Sequence, residues 1–280
     1  MEQSFIAYIH LQVKDFRKNF IKSISRRNFD KIHDYRVALK RIWTIVNFIK
    51  RIPGGKNLKK CYKINNLDLA FKSGGILREM QINRIILGRF EQKTGVIYKK
   101  FRNHIRYKEK NAFKDLKNAR KKFSAVKLKK FEAKMVNAIK DIPTDLFLKH
   151  IDEFIVKRIT QINDLVQAKN VESTLHRIRR HTKSIKYLME MSRMGKRTYG
   201  DLNFEVEKIT ELEDLIGNWH DQLVFKIDLE KYISSVLKRK AVDPQTLDLQ
   251  ALVEEKYKIT YKKTVKAVYD HYKISGVQKA

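Results

Sequence analysis

The hydrophobic positions of this 280-residue chain recur at helical spacing almost from end to end. Over residues 29–50, Ile32, Tyr35, Leu39, Ile42, Val46 and Ile49 step by three and four, laying one continuous apolar face along a helix. Leu175, Ile178, Thr182, Ile185 and Met189 keep the same rhythm over 174–191. Ile97, Phe101, Ile105, Ala112, Leu116, Ala119 and Phe123 mark a long helix between Val96 and Phe123, and Tyr257, Tyr261, Val265, Val268 and Tyr272 mark one near the C-terminus. No segment alternates convincingly as a strand. The pattern predicts an all-α protein of antiparallel helices. Turn signals fall at Pro53-Gly54-Gly55, Gly74-Gly75, Ile142-Pro143-Thr144, Gly195 to Gly200 and Asp243-Pro244.

The polar positions repeat too. Residues 32–41 read IHDYRVALKR and residues 175–184 read LHRIRRHTKS, each holding His, Arg and Lys as H-x-x-R-x-x-x-K. At an offset of about 143 residues, His33, Arg36 and Lys40 fall on His176, Arg179 and Lys183, and the loop at Gly54 falls on that at Gly195. GILRE at 75–79 then meets GNWHD at 217–221, so Glu79 corresponds to Asp221. Four features in one order predict an internal duplication, with repeats over 1–143 and 144–280 joined near Pro143.

On the first repeated helix His33, Arg36, Lys40, Trp43 and Asn47 form a stripe beside the apolar face; His176, Arg179, Lys183, Lys186 and Glu190 form its equivalent. If the halves pack about a pseudo-two-fold axis, the stripes face each other across a groove that attracts an extended polyanion. Ordinary exposed cations are the plainer reading of any one lysine, but the coincidence across both halves favours binding. His33 and His176 have three readings: a cap at the core edge, a metal ligand, or a hydrogen bond to phosphate oxygens beside Arg36 and Arg179. The last is preferred, since one His per half without His or Cys at ligand spacing argues against metal. A free imidazole titrates near 6.5, so this reading expects binding to tighten as pH falls from about 7.5 to about 6. Glu79 and Asp221, set near predicted helix starts, read as partners that hold the basic side chains or meet a helix dipole. No catalytic constellation, phosphate-binding loop or metal-ligand set appears.

Composition narrows the class. A net charge of +31 calls for polyanionic partners. Eleven Lys or Arg against two acids over 99–122 read as a solvated face that adds to the field. The single cysteine, Cys61, excludes a disulfide framework and fits a reducing cytosol. The longest run without charged residues, Gln3 to Val13, is too short to span a bilayer.

The duplicated H-x-x-R-x-x-x-K helix, followed by a Gly-x-x-x-acid element, resembles the CHAD family (conserved-histidine α-helical domain) over nearly the whole chain. That resemblance implies two helical bundles around a basic groove that binds inorganic polyphosphate without hydrolysis, in a cytoplasmic protein associated with polyphosphate granules and needing no cofactor. Carried over by position, the implied contacts are His33, Arg36, Lys40, Arg41 and Arg78, then His176, Arg179, Lys183 and Lys186. The chain departs from the pattern at Trp43, where a basic residue is usual, at Ser184 and His220, which stand where Arg41 and Arg78 do, and at Glu79 for aspartate. Two rivals follow from the residues themselves: a single-stranded nucleic-acid binder stacking a base on Trp43, and a metal-dependent phosphohydrolase using the histidines.

Overall fold

In the computed structural model the described residues are 2–25, 28–52, 58–64, 66–167, 171–192, 196–199, 202–238 and 241–272. They form α1 (Glu2–Ser25), α2 (Phe29–Ile49), α3 (Lys59–Ile64), α4 (Leu67–Thr94), α5 (Lys99–Lys121), α6 (Ala125–Asn137), α7 (Thr144–Gln167), α8 (Val171–Ser192), β1 (Lys196–Tyr199), β2 (Leu202–Glu205), α9 (Val206–Leu237) and α10 (Pro244–Tyr272). Local chemistry sets the ends. The Asn28 side chain accepts from the Asp30 and Lys31 amides to start α2. Asp243 accepts from the Thr246 amide, with Pro244 as the first residue of α10. Gly95 closes α4 in the left-handed region, φ 71°.

The all-α class stands, with one exception of detail: β1 and β2 pair antiparallel, Lys196 against Glu205 through Tyr199 against Leu202. The hairpin is too short for its alternation to stand out from a loop. The turn expected at Pro143 separates α6 from α7, whereas Pro53, Gly54, Gly55, Gly195 and Gly200 lie outside the described residues. The turn expected at Gly74-Gly75 is a correction: both glycines lie inside α4. Their lack of a side chain serves packing, since a Cβ at Gly74 would stand 2.6 Å from Cζ of the buried Tyr35 ring. Tertiary contact has overridden helix propensity there.

Four antiparallel hairpins dominate the packing, α1 with α2, α4 with α5, α7 with α8 and α9 with α10. Between them α2, α4, α9 and α8 make a closed ring of neighbours, α2 touching α4 and α8, and α9 touching α8 and α4. The main core fills the spaces around this ring with Phe16, Phe20, Tyr35, Phe48, Phe147, Ile178 and Trp219. A second core at the far ends of the α4–α5 and α9–α10 hairpins stacks Phe90 on Phe225, ring centroids 6.0 Å apart. Between the two, Asn83 of α4 donates to the buried Asp228 of α9 at 3.0 Å, and Lys108 of α5 pairs with the same carboxylate. Among the described residues no helix is long and apolar enough to cross a membrane.

Candidate functional site: a cationic cluster on four helices

The sequence-predicted residues all lie on the ring. His33, Arg36, Lys40 and Arg41 are on α2, Arg78 and Glu79 on α4, His176, Arg179, Lys183 and Lys186 on α8, and Asp221 on α9.

Arg36 and Arg179 each run past a glycine. The Arg36 guanidinium lies 4.3 Å over the Phe71 ring and donates through Nη1 to the Phe71 carbonyl. A Cβ at Gly75 would stand 2.8 Å from Nη1, so only glycine admits the side chain unshifted. Arg179 passes Gly217 more loosely, with Nη2 3.6 Å from where a Cβ there would stand, and its Nε is buried without a hydrogen-bond partner among the described residues. Gly75, before Glu79, thus makes room for Arg36, whereas Gly217, before Asp221, is only an ordinary neighbour of Arg179. Both acids sit well inside α4 and α9, which corrects their expected place near a helix start and removes the dipole role.

At the centre, burial drives Lys40 well below the ordinary ammonium range, with Lys183, Arg179 and Arg36 adding repulsion and Glu213 opposing. Lys40 has no ion-pair partner among the described residues. Lys183 pairs with Glu213, whose other oxygen lies 3.4 Å from Lys186 Nζ. Burial again lowers Lys183, helped by Arg179 and resisted by Glu213. Burial works against the Glu213 charge, but Lys183, Lys186 and Arg179 hold its carboxyl below the usual range. Arg41 is engaged differently, bridging α2 to α8 with Nη2 2.8 Å from Glu190 and its guanidinium 5.5 Å over the Tyr187 ring.

Burial raises the Asp221 carboxyl while Arg179, Arg78, Lys40 and Lys183 all oppose it, which makes this one carboxylate a shared counter-charge for four cations. Glu79, open to solvent on one side, is raised by desolvation of its inner side, with Arg36 opposing and Asp228 and Asp221 adding repulsion.

His33 and His176 both keep substantial surface open to solvent, so neither is packed into the core edge. Partial burial lowers both: Arg78 and Lys40 add to the effect at His33, and Arg180 and Arg179 at His176. The expected titration near 6.5 is therefore corrected to more acid pH, because partial burial, and then the neighbouring cations, disfavour each imidazolium. The His176 ring lies 5.1 Å from that of His220. Burial, Arg179 and His176 push His220 down to about 3, and its Nδ1 is buried without a hydrogen-bond partner among the described residues.

Elsewhere the basic face of α5 is solvated, with Lys110, Lys114, Lys117 and Lys121 exposed. Trp43, 36% exposed, is covered by Tyr62 at 4.8 Å between centroids and by the Lys59 ammonium at 5.5 Å. Among the described residues no group of three or more His, Cys, Asp or Glu is placed to hold a metal ion. Sequence reasoning missed Glu213 as a counter-ion. Its signal is its place one helical turn before Gly217, on the face that meets Arg179.

No family model and no curated protein matches the sequence. A solved structure does match in shape: the CHAD domain from the plant Ricinus communis superposes with a TM-score of 0.69, covering 100% of this chain and 93% of its own, at 12% identity. A four-hairpin, all-α bundle is the class this defines. The chain has a CHAD-like fold.

Proposed function

We propose that this protein binds inorganic polyphosphate along the cationic cluster, without hydrolysing it. The observation that carries the reading is Lys40. A half-buried lysine with no ion-pair partner among the described residues, crowded by Lys183, Arg179 and Arg36, holds its charge at a cost until an anion arrives. Arg36, Arg78 and Arg179 then supply planar donors to phosphate oxygens, and Lys40 supplies a point charge. His33 and His176, at the open edges, donate once protonated. Asp221 and Glu79 hold these cations in place while the site is empty. The CHAD-like fold supports the reading by expectation, since the resemblance that predicted the fold also implies polyphosphate. Work in the cytoplasm, at polyphosphate granules, belongs to the same proposal.

Against the nucleic-acid rival, Trp43 has Tyr62 tilted against its indole and the Lys59 ammonium over the ring, neighbours that a stacking base would have to share or displace. The test is a titration with polyphosphates of several lengths and with a single-stranded oligonucleotide at matched phosphate, while phosphate release is followed. The reading expects polyphosphate to bind more tightly than the oligonucleotide, with no release above background. Preference for the oligonucleotide, or steady release, refutes it.

A further inference from the structure

The two halves of the cluster are not electrostatically alike. Lys183, Glu213 and Lys186 form a compact ion triad whose side chains are only 13%, 12% and 14% exposed. At the offsets that relate the halves, Phe71 stands where Glu213 does and Trp43 where Lys186 does. Lys40, the equivalent of Lys183, has no carboxylate within ion-pair distance among the described residues, Asp221 and Glu213 acting on it only from further off. The free protein therefore already has an anion on one side of its cluster.

We propose that Glu213 is a selectivity residue of this site: an internal anion that closely spaced phosphates displace and widely spaced ones do not. The proposal rests on the polyphosphate reading. Exchanging the carboxylate for one phosphodiester swaps one negative charge for another and leaves the ejected carboxylate nearby, so little is gained. In polyphosphate each phosphate shares a bridging oxygen with the next, so further charges arrive with the first. The exchange then favours the ligand. In single-stranded nucleic acid a sugar separates the phosphates, and Lys183 and Lys186 stay with Glu213. The carboxylate is ionised at neutral pH, because its lysines and Arg179 outweigh its burial. It is thus in place as a competitor under the conditions where binding is measured.

The experiment titrates long-chain polyphosphate and oligo(dT) against wild type, Glu213→Gln and Glu213→Asp at several salt concentrations, with thermal melting alongside. In Glu213→Gln, oligo(dT) gains Lys183 and Lys186. Its affinity should rise roughly tenfold, and its log–log salt slope should steepen by about 1.4, two contacts at about 0.7 each. Polyphosphate, which reaches both lysines already, should tighten by less than about threefold with an unchanged slope. Glu213→Asp keeps the charge but shortens the reach, so its selectivity should fall between the two. Equal fold-changes for both ligands, or wild-type selectivity in both variants, overturns the proposal. Should the Gln variant melt too early to titrate, the Asp variant decides, and an unchanged affinity ratio there overturns it as well. A wild type that binds no polyphosphate refutes the functional reading instead, and this inference with it.

Discussion

Alanine placed at three glycines of the ring should give three different outcomes, graded by the space each has. At Gly217 the new Cβ meets Arg179 Nη2 at 3.6 Å, an ordinary contact. Alanine there gains the helix-propensity difference of about 0.5–1 kcal/mol, or about 1–2 °C in melting temperature for a chain of this size. At Gly75 the Cβ comes within 2.8 Å of Arg36 Nη1. The guanidinium must leave the Phe71 carbonyl, losing a charged hydrogen bond worth about 1.5–3 kcal/mol. After the propensity gain, the net cost is about 1–2 kcal/mol. Gly74→Ala is the severe case. Its Cβ would overlap the Tyr35 hydroxyl and stand 2.6 Å from Cζ. That ring is fully buried, and Phe20 and Phe16 hold it edge-on at 5.1 and 6.3 Å, so it has nowhere to rotate. Overpacking of this kind costs about 3 kcal/mol or more. Urea denaturation of the three variants, read by helical circular dichroism, gives the order directly. Gly74→Ala as stable as Gly217→Ala would falsify the close approach of α2 to α4.

The remaining predictions concern charge. Arg36, Lys40, Arg78 and Arg179 form no carboxylate ion pair among the described residues, and Lys183 and Lys186 join them once Glu213 is displaced, so polyphosphate binding should show a log–log salt slope of about 4, at roughly 0.7 per contact. A slope near one means that no extended contact forms. Replacing Arg36 and Arg179 together by Ala should weaken binding about a hundredfold or more, while Lys110→Ala with Lys114→Ala should cost a few-fold; equal losses leave only bulk charge. His181 and His220 titrate at about 4 and about 3 in the folded chain, against about 6.5 unfolded. The unfolded state then binds more protons as pH falls, so stability is full above about 6.5 and drops steadily towards pH 4. His220→Gln should flatten that decline, and urea midpoints unchanged between pH 7 and 5 in the wild type would refute it. For binding, the lowered His33 and His176 mean that affinity should keep rising below pH 6 instead of levelling there, as isothermal titration at stepped pH can record.

Much of the fold was legible because its helices carry their apolar residues at unbroken steps of three and four. The stripe from Ile32 to Ile49 became the buried face of α2, and Leu175 to Met189 that of α8. Gly74-Gly75 was misread because a glycine pair looks the same whether the chain turns or a neighbouring helix presses close. Only Tyr35 and Arg36, a whole helix away, decide between the two. The site was legible where its residues share one helix, as His33, Arg36 and Lys40 do. Glu213 escaped, and Glu190 was legible as part of the stripe but not as the partner of Arg41, because an ion pair across helices leaves no period in the sequence.

The ring of α2, α4, α9 and α8 takes two helices from each half of the chain, so the seam between the halves runs through the cationic cluster. Like charges on the two sides push that seam open. Asp221, the Arg41–Glu190 bridge and the Asn83–Asp228 bond hold it shut. The seam is therefore a joint under load, whose tightness depends on how many anions sit in it. Any polyanion that enters acts as a clasp between the halves, and multivalent anions should slow hydrogen exchange along all four ring helices together.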